Sequence, residues 1–407
     1  MVCSIRSAMG RLHQDCVKER KTVKKAISLI MILALTLCIV CASGETMINP
    51  MEERSVLLSP AVENKTEEGF SPTTGLELAT LDVPDGFAGL AVTGRYTPML
   101  VQIDNSEGGV GNRAPWHASY ADVVYETPLY RTGTTRLSML FSDLIPEYVG
   151  PVRSARVNHV WIREEWKAAL CFWGGQKYEK TSITTAFQDL GYNLMDPASL
   201  AFDGTTGGKV WNNYCDHTEV LAKPHDAYFM TAALATQVIP ADYTAPNHAY
   251  RFTSALPEAG DVAEVIYVNW GNKAYNSMLE YDEDENLYYR YMMEDPQKPV
   301  LYDEINPVPN KGDKIIHLNP VTFSNVIIQF MDIQYMSSDA PLPTVTGRGN
   351  AEYFMGGKHI AGVWNRDTLQ DRTVFYDMDG NEIEMQPGHT LIVMMDYQTD
   401  GRSISYE

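Results

Sequence analysis

Cysteine is nearly absent from most of this 407-residue chain. Of its six cysteines, Cys3, Cys16, Cys38 and Cys41 fall within the first 44 residues, leaving only Cys171 and Cys215 beyond them. Two thiols in so long a stretch exclude a disulfide scaffold and favour two separately buried thiols over one bridge. The common catalytic and nucleotide signatures are missing as well. Beyond residue 44 there is no G-x-x-x-x-G-K-[ST], G-x-G-x-x-G, G-x-S-x-G, H-E-x-x-H or C-x-x-C, so the usual hydrolase, protease and phosphate-loop frameworks have no foothold.

Positive charge is also in short supply. Lys and Arg number 32 against 52 Asp and Glu, a formal net of −20. Residues 1–44 hold seven Lys/Arg and two Asp/Glu, a net of +5, so residues 45–407 carry −25 by difference. A surface of that sign repels nucleic acid and is not drawn to a bare anionic membrane. With 44% apolar and 21% charged residues the chain is an ordinary globular protein, long enough for two or three domains.

The basic leader has a plain reading. Lys18, Arg20, Lys21, Lys24 and Lys25 precede an apolar run from Ala26 to Ala42, then Ala42-Ser43-Gly44. That is the order of an export signal. The 17-residue run is also at the short edge of a membrane span, so a cleaved signal peptide and an uncleaved signal anchor both remain open. Leu37 and Val40 precede Cys38 and Cys41 where lipoprotein processing needs a small residue. The expectation is an extracytoplasmic protein, secreted or anchored at the outer face of the cytoplasmic membrane.

Residues 45–95, rich in Glu, Ser, Thr, Pro and Gly without a sustained apolar period, read as a flexible tether. From about Tyr96 strands and helices alternate irregularly. Residues 97–103, 121–125, 136–141 and 169–173 read as strands, 154–170 and 181–190 as helices, and Ala227–Thr236 as a further helix. After a Pro/Ala/Gly-rich boundary at 255–262 come strand-like runs at 265–268, 287–291, 315–318, 326–330, 351–354, 360–364, 374–376 and 391–395, separated by turn chemistry. The expected fold is α+β: a layered α/β N-terminal domain over 96–254, then a mostly antiparallel β domain over 262–400.

The chemistry concentrates in Gly150-Pro-Val-Arg-Ser-Ala-Arg156. Read as a helix start with Ser154 as N-cap, it puts Arg153 and Arg156 on one face, where the helix dipole is already positive. Guanidinium groups there need a negative partner, and their planar forks suit carboxylate or phosphate. Glu126 at a strand end and Arg136 in the next strand are placed to converge on them, giving a carboxylate of depressed pKa that suits binding better than general-base work. The bland reading is that Glu126 or Asp122 pairs internally with the arginines. His225, in Lys223-Pro-His-Asp226, is the best histidine candidate for the site, against a role capping the next helix. Cys215, His217 and His225 match no zinc frame, and Asp282-Glu-Asp-Glu-Asn286 lacks the glycine and terminal glutamate of an EF-hand loop. No metal or cofactor is implied.

Asp104-Asn105, Ala121-Asp-Val-Val-Tyr-Glu126, Thr135-Arg136, Gly150–Arg156 and Pro224-His225-Asp226 resemble the YerB-like family of exported bacterial proteins (DUF3048). Asn325–Phe330, Gly347-Arg-Gly349, Gly362-Val-Trp364 and Pro387-Gly388 are similar to the family's C-terminal domain. The resemblance spans about residues 90–397 and implies an α/β domain followed by a β-rich one, many members being lipoproteins, with no established activity. Where the family reads Pro-His-Asn this chain has Asp226, which raises the pKa of His225 if the two touch.

Residues and resemblance together give an expected cell-envelope binding or accessory protein, engaging an anionic or carboxylate-bearing wall fragment or protein partner. Arg136, Arg153, Ser154 and Arg156 would form the site, with Asn105, Glu126 and His225 adding hydrogen bonds. Two rivals stand beside it: an envelope hydrolase or transferase using Glu126 and His225 as acid and base, and a structural protein-protein interaction module in which the arginines only staple the fold.

Overall fold

The structure, a computed structural model, describes residues 44–63, 66–105, 115–219, 221, 223–306, 313–397 and 401–407. The leader reading and its four cysteines lie outside the described residues. Among those described, no helix is long and apolar enough to cross a membrane.

Five elements from the first half organise the site: β1 (Met99–Ile103), β2 (Val123–Pro128), β3 (Thr135–Phe141), α1 (Val157–Trp166) and β4 (Ala169–Phe172). α2 (Ile183–Asp189) and β5 (Ala201–Asp203) follow. The second half contributes β6 (Leu287–Met292), β7 (Asn325–Met331), β8 (Gly347–Met355), β9 (Lys358–Arg366) and β10 (Thr390–Asp396). The antiparallel β-rich second half and the mixed first half give the expected α+β fold.

The two halves do not form separate sheets. Ten strands of an eleven-stranded sheet run in the order Asp261–Val262, β9, β8, β7, β10, β2, β3, β1, β4, β5, and the eleventh, Val374–Asp377, also pairs with β9. The halves meet at a parallel pairing of β10 with β2, from Thr390↔Val123 to Val393↔Glu126. A boundary read from turn-rich sequence at 255–262 therefore marks a change of composition and not a break in hydrogen bonding.

Central strands of this sheet are buried on both faces. Val101, Ile103, Val124, Leu137 and Met139 pack on one side with the aromatic strands of a smaller antiparallel sheet that includes β6. Leu100, Val123, Tyr125 and Leu140 pack on the other, beneath α1 and its Val157, Val160 and Trp166. Successive side chains in a strand alternate between faces, so each strand feeds both cores.

The tether expectation for 45–95 is overturned. Thr46–Met47 adds an antiparallel strand beside Ser403–Tyr406. Arg54 donates to Ala351 O at 3.0 Å and Gly362 O at 2.8 Å and pairs with the buried Glu352 at 2.7 Å. Ser71 and Thr74 each donate to the buried Asp143 at 2.6 Å. The segment carries no apolar period because it is held by specific polar contacts to buried carboxylates and carbonyls, which a hydrophobicity pattern does not register.

Two more local expectations change. The helix expected at Ala227–Thr236 is a strand, Ala227–Phe229, followed by a helix over Thr231–Gln237, so His225 caps no helix. Cys171 and Cys215 are both free, the first buried and the second partly exposed.

Candidate functional site

Residues 151–155 form an extended connector, not a first helical turn. Arg153 N–H donates to Gln102 O at 2.8 Å, Trp173 N–H to Arg153 O at 3.0 Å, and Ala155 N–H to Gly174 O at 3.0 Å. Val152 N–H donates to Ala227 O at 2.7 Å. The segment thus fills the gap where the parallel strands β1 and β4 part after Val101↔Cys171. Its entry is fixed by Gly150, where an added Cβ would lie 2.7 Å from the Trp116 ring. The helix begins only at Val157, with Arg156 in extended conformation at its N-cap. Ser154 is not the cap: its hydroxyl donates to Trp173 O at 3.0 Å. Arg153 and Arg156 consequently share no helical face. Their backbone is tied into the sheet, at the carboxyl ends of parallel strands where α/β sheets characteristically bind ligands.

Strand alternation then divides the candidate residues between the two faces. In β2 and β3, Glu126 is registered with Leu137 and Thr127 with Arg136. Arg136 therefore faces α1, whereas Glu126 faces the smaller sheet. Asp104 and Asn105, just past β1, divide the same way.

On the α1 face a single carboxylate, Asp104, meets several cations. Arg136 Nη1 lies 3.4 Å from Asp104 Oδ1 and Arg153 Nε 3.7 Å from Oδ2, while His225 Nδ1 contacts the same Oδ2. Arg153 also donates to Pro224 O at 3.3 Å. Arg156 is ion-paired with no carboxylate among the described residues: it donates to Tyr130 Oη at 3.2 Å and to Ala155 O at 3.1 Å. Among the described residues no other acidic side chain forms an ion pair with these arginines. Two guanidinium groups thus share one carboxylate, and Arg156 stands close enough to press on Arg136, so among the described residues the three arginines exceed their one ion-paired carboxylate by two charges. Arg136 is only 4% exposed, and its Nε, like those of Arg153 and Arg156, is buried without a hydrogen-bond partner among the described residues. Burial pushes the Arg136 guanidinium down to about 10, Asp104 pulls it back up, and Arg156 and Arg153 press it further down. At neutral pH it stays charged.

His159, one turn into α1, lies beneath this cluster. Its Nδ1 accepts from Arg156 N–H at 2.9 Å, so the ring is the neutral tautomer whose Nε2–H reaches Thr127 Oγ1 at 3.2 Å. Burial, then the charges of Arg136 and Arg156, hold it well below the usual histidine range.

On the opposite face Glu126 has a different partner, Arg290 of β6, at 2.9 Å with both side chains fully buried. Its other oxygen accepts from Thr135 Oγ1 at 2.8 Å and from Asn105 Nδ2 at 3.3 Å. Burial raises the Glu126 carboxyl above its ordinary value, with Arg290 and Thr135 opposing, which corrects the expected depression. Asn105, whose amide also donates to Thr135 at 2.7 Å, is committed to this network. Glu126 and His225 form no acid–base pair, since the histidine meets Asp104 instead. Asp226 pairs with His217 at 3.0 Å and not with His225. Asp122 serves Ser142 and Asp143 backbone and hydroxyl donors, so it does not reach the arginines.

Sequence reasoning therefore found Arg136, Arg153, Arg156 and His225, which come together, and also chose Asn105, Glu126 and Ser154, which do not join them. It missed Asp104, Tyr130, His159 and Arg290. An arginine amid the aromatics of Leu287–Met292 was the available signal for the last; the others needed strand register.

The comparisons with known proteins agree with the architecture. Residues 87–244 match the N-terminal domain, and residues 266–392 the C-terminal domain, of the "Protein of unknown function (DUF3048)" family. No curated protein matches the chain. The crystal structure of the YerB protein from Bacillus subtilis is similar at 19% identity and a TM-score of 0.56, covering 82% of this chain and 99% of that one. At that identity the likeness is one of fold.

Proposed function

We propose, for a chain that belongs to the YerB-like DUF3048 family, an extracytoplasmic binding role in the cell envelope, exercised on an anionic group held by Arg136, Arg153 and Arg156. One observation carries the reading: Arg136 and Arg153 share the single carboxylate of Asp104 with Arg156 beside them, in a protein whose net charge is −20. Burying like charges together is costly unless a counter-charge arrives. Fork-shaped donors with unpartnered nitrogens are matched to the oxygens of a phosphate or carboxylate. The site's position past the carboxyl ends of parallel strands fits a ligand entering from outside. Export is supported by the basic, apolar, small-residue order of residues 18–44. The ligand is a wall fragment or partner terminus bearing such a group.

Calorimetric titration with inorganic phosphate and with citrate tests the reading. Binding that weakens at least about tenfold in the Arg153→Ala plus Arg156→Ala double variant is expected, the loss of one charge-assisted contact being enough for that factor. Affinity unchanged by the double substitution, or no binding to either anion in the parent protein, overturns it.

A second reading draws on the contact of His225 Nδ1 with Asp104. A carboxylate that orients an imidazole is the usual support of a general base, so a hydrolase or transferase would use His225 and Asp104 with the arginines holding substrate charge. Turnover of an anionic ester lost in His225→Ala, with anion binding retained, distinguishes it from binding alone.

A further inference from the structure

A cleft of about 830 Å³ begins at the residue after Arg156. Val157 and Trp161 of α1 form one wall, Ala186 of α2 and the following Leu190 another, and Leu342 and Val345 the third. Its volume is in the range of sites for small organic ligands. Apolar side chains dominate the walls, and Lys180 and Thr185 stand among the polar ones.

The cleft and the arginine cluster adjoin at the N-terminal end of α1. Val157, the first residue of α1, follows the N-cap Arg156 directly. Gln334, on the far wall, precedes Tyr335, whose hydroxyl accepts from Arg402 at 2.7 Å; Arg402 in turn donates to Tyr130 O at 3.2 Å, and Tyr130 holds Arg156. A molecule with an anionic end on Arg156 therefore has apolar walls beginning one residue away.

The strand lining the cleft argues against a peptide. Pro341–Pro343 pairs with Ile333–Tyr335, and the flanking bonds Met336 N–H to Ala340 O and Thr344 N–H to Asp332 O set the alternation. Residues 341 and 343 then face away from the partner strand, and both are proline. The outer edge consequently offers no N–H at those positions, and a peptide cannot add to it as a further strand.

We infer that the cleft takes the aliphatic part of an amphipathic anion whose phosphate or carboxylate head sits on the arginine cluster. This deepens the binding role proposed above and rests on it. Each methylene buried adds affinity without altering the head-group contacts, and about two of them are enough for a tenfold gain.

The test uses dodecyl phosphate, dodecanoate, inorganic phosphate and the neutral dodecyl maltoside, all below their micellar concentrations, with the parent protein and Thr185→Trp. Thr185 is exposed on α2 and lines the cleft, so the indole fills space without disturbing the core; Asp189→Trp, equally exposed, serves as the second variant. The expected result is dodecyl phosphate or dodecanoate binding at least about tenfold more tightly than inorganic phosphate, an advantage lost in both tryptophan variants while phosphate binding stays as it was. The better of the two amphiphiles identifies the head group. Equal affinity for inorganic and dodecyl phosphate overturns this inference and leaves the anion site standing. Dodecyl maltoside binding as well as dodecyl phosphate also overturns it, since the chain would then bind without help from the arginines. Loss of phosphate binding altogether removes the anion site itself, a separate outcome.

Discussion

Asp104 and Glu126 sit near the same end of one sheet, with β3 between their strands, and face opposite ways. Glu126 has one cation, Arg290, with neither side chain exposed, and neutral donors from Thr135 and Asn105 complete its shell. Asp104 has Arg136, Arg153 and His225 around it and Arg156 close by, and Arg153 is 26% exposed. Charge is matched and sealed on one face, unmatched and partly open on the other. A buried carboxylate beside arginine is therefore no sign of function by itself; the stoichiometry of the charges and their access to solvent are what differ. The first face knits the two halves of the chain together, because Arg290 comes from β6 and Glu126 from β2. Among the described residues both faces keep unpartnered guanidinium nitrogens, Arg290 Nε and Nη1 on the first and the Nε of Arg136, Arg153 and Arg156 on the second, but only the second has an excess of positive charge and a partly exposed arginine.

The largest effect should come from breaking the matched pair. Arg290→Ala leaves Glu126 buried without its counter-charge, and about 3–5 kcal/mol of stability should be lost in chemical denaturation. A loss under 1 kcal/mol would mean that the sealed face is not the structural one. Next in size is Asp104→Asn, which removes the only carboxylate ion-paired with these arginines among the described residues. It should cost about 1–3 kcal/mol without ligand and should increase the stabilisation gained from added phosphate, since the positive excess grows. A variant with an unchanged or smaller phosphate response would contradict the charge-surplus reading.

How far this comparison was legible in the sequence depends on the range of the information needed. Strands such as Met99–Ile103, Asn325–Met331 and Thr390–Asp396 declare themselves by β-branched and apolar composition, and the arginine-bearing string stands out in an acidic chain. The face on which Glu126 lies does not declare itself. Adjacent residues in a strand point oppositely, so placing Glu126 against Arg136 requires the register Thr127↔Arg136, which is a pairing between strands. The parallel junction Thr390↔Val123 is likewise invisible to local pattern. Ser154 failed for a third reason: a good capping residue sits in a segment whose N–H groups are already claimed by Gln102, Ala227 and Gly174, and tertiary hydrogen bonding overrides local preference.

The open face should also show itself in acid. His159 is held neutral beneath Arg136 and Arg156, with its folded-state pKa below the unfolded value of about 6.5. The unfolded chain then takes up a proton that the folded one refuses, so the contribution is complete above that pH and is lost as pH falls beneath it. The slope approaches about 1.4 kcal/mol per pH unit for one proton. Denaturation midpoints measured from pH 7 to 5 should fall less steeply in His159→Gln than in the parent, and identical slopes would remove His159 from the account.

The smallest effect on stability is expected where the effect on binding is large. Arg153 is partly exposed, 3.7 Å from Asp104 and long at 3.3 Å to Pro224 O, so the pair is of the kind that contributes about 1 kcal/mol or less. Removing it also relieves repulsion from Arg136, whose guanidinium it presses down. Arg153→Ala should therefore shift the denaturation midpoint little in either direction, while phosphate affinity falls. If the arginines were only staples, the same substitution would cost several kcal/mol and leave the anion response where it was. Measured together, midpoint and phosphate titration give opposite patterns for the two readings, and Arg290→Ala supplies the reference for what a staple looks like in this same protein.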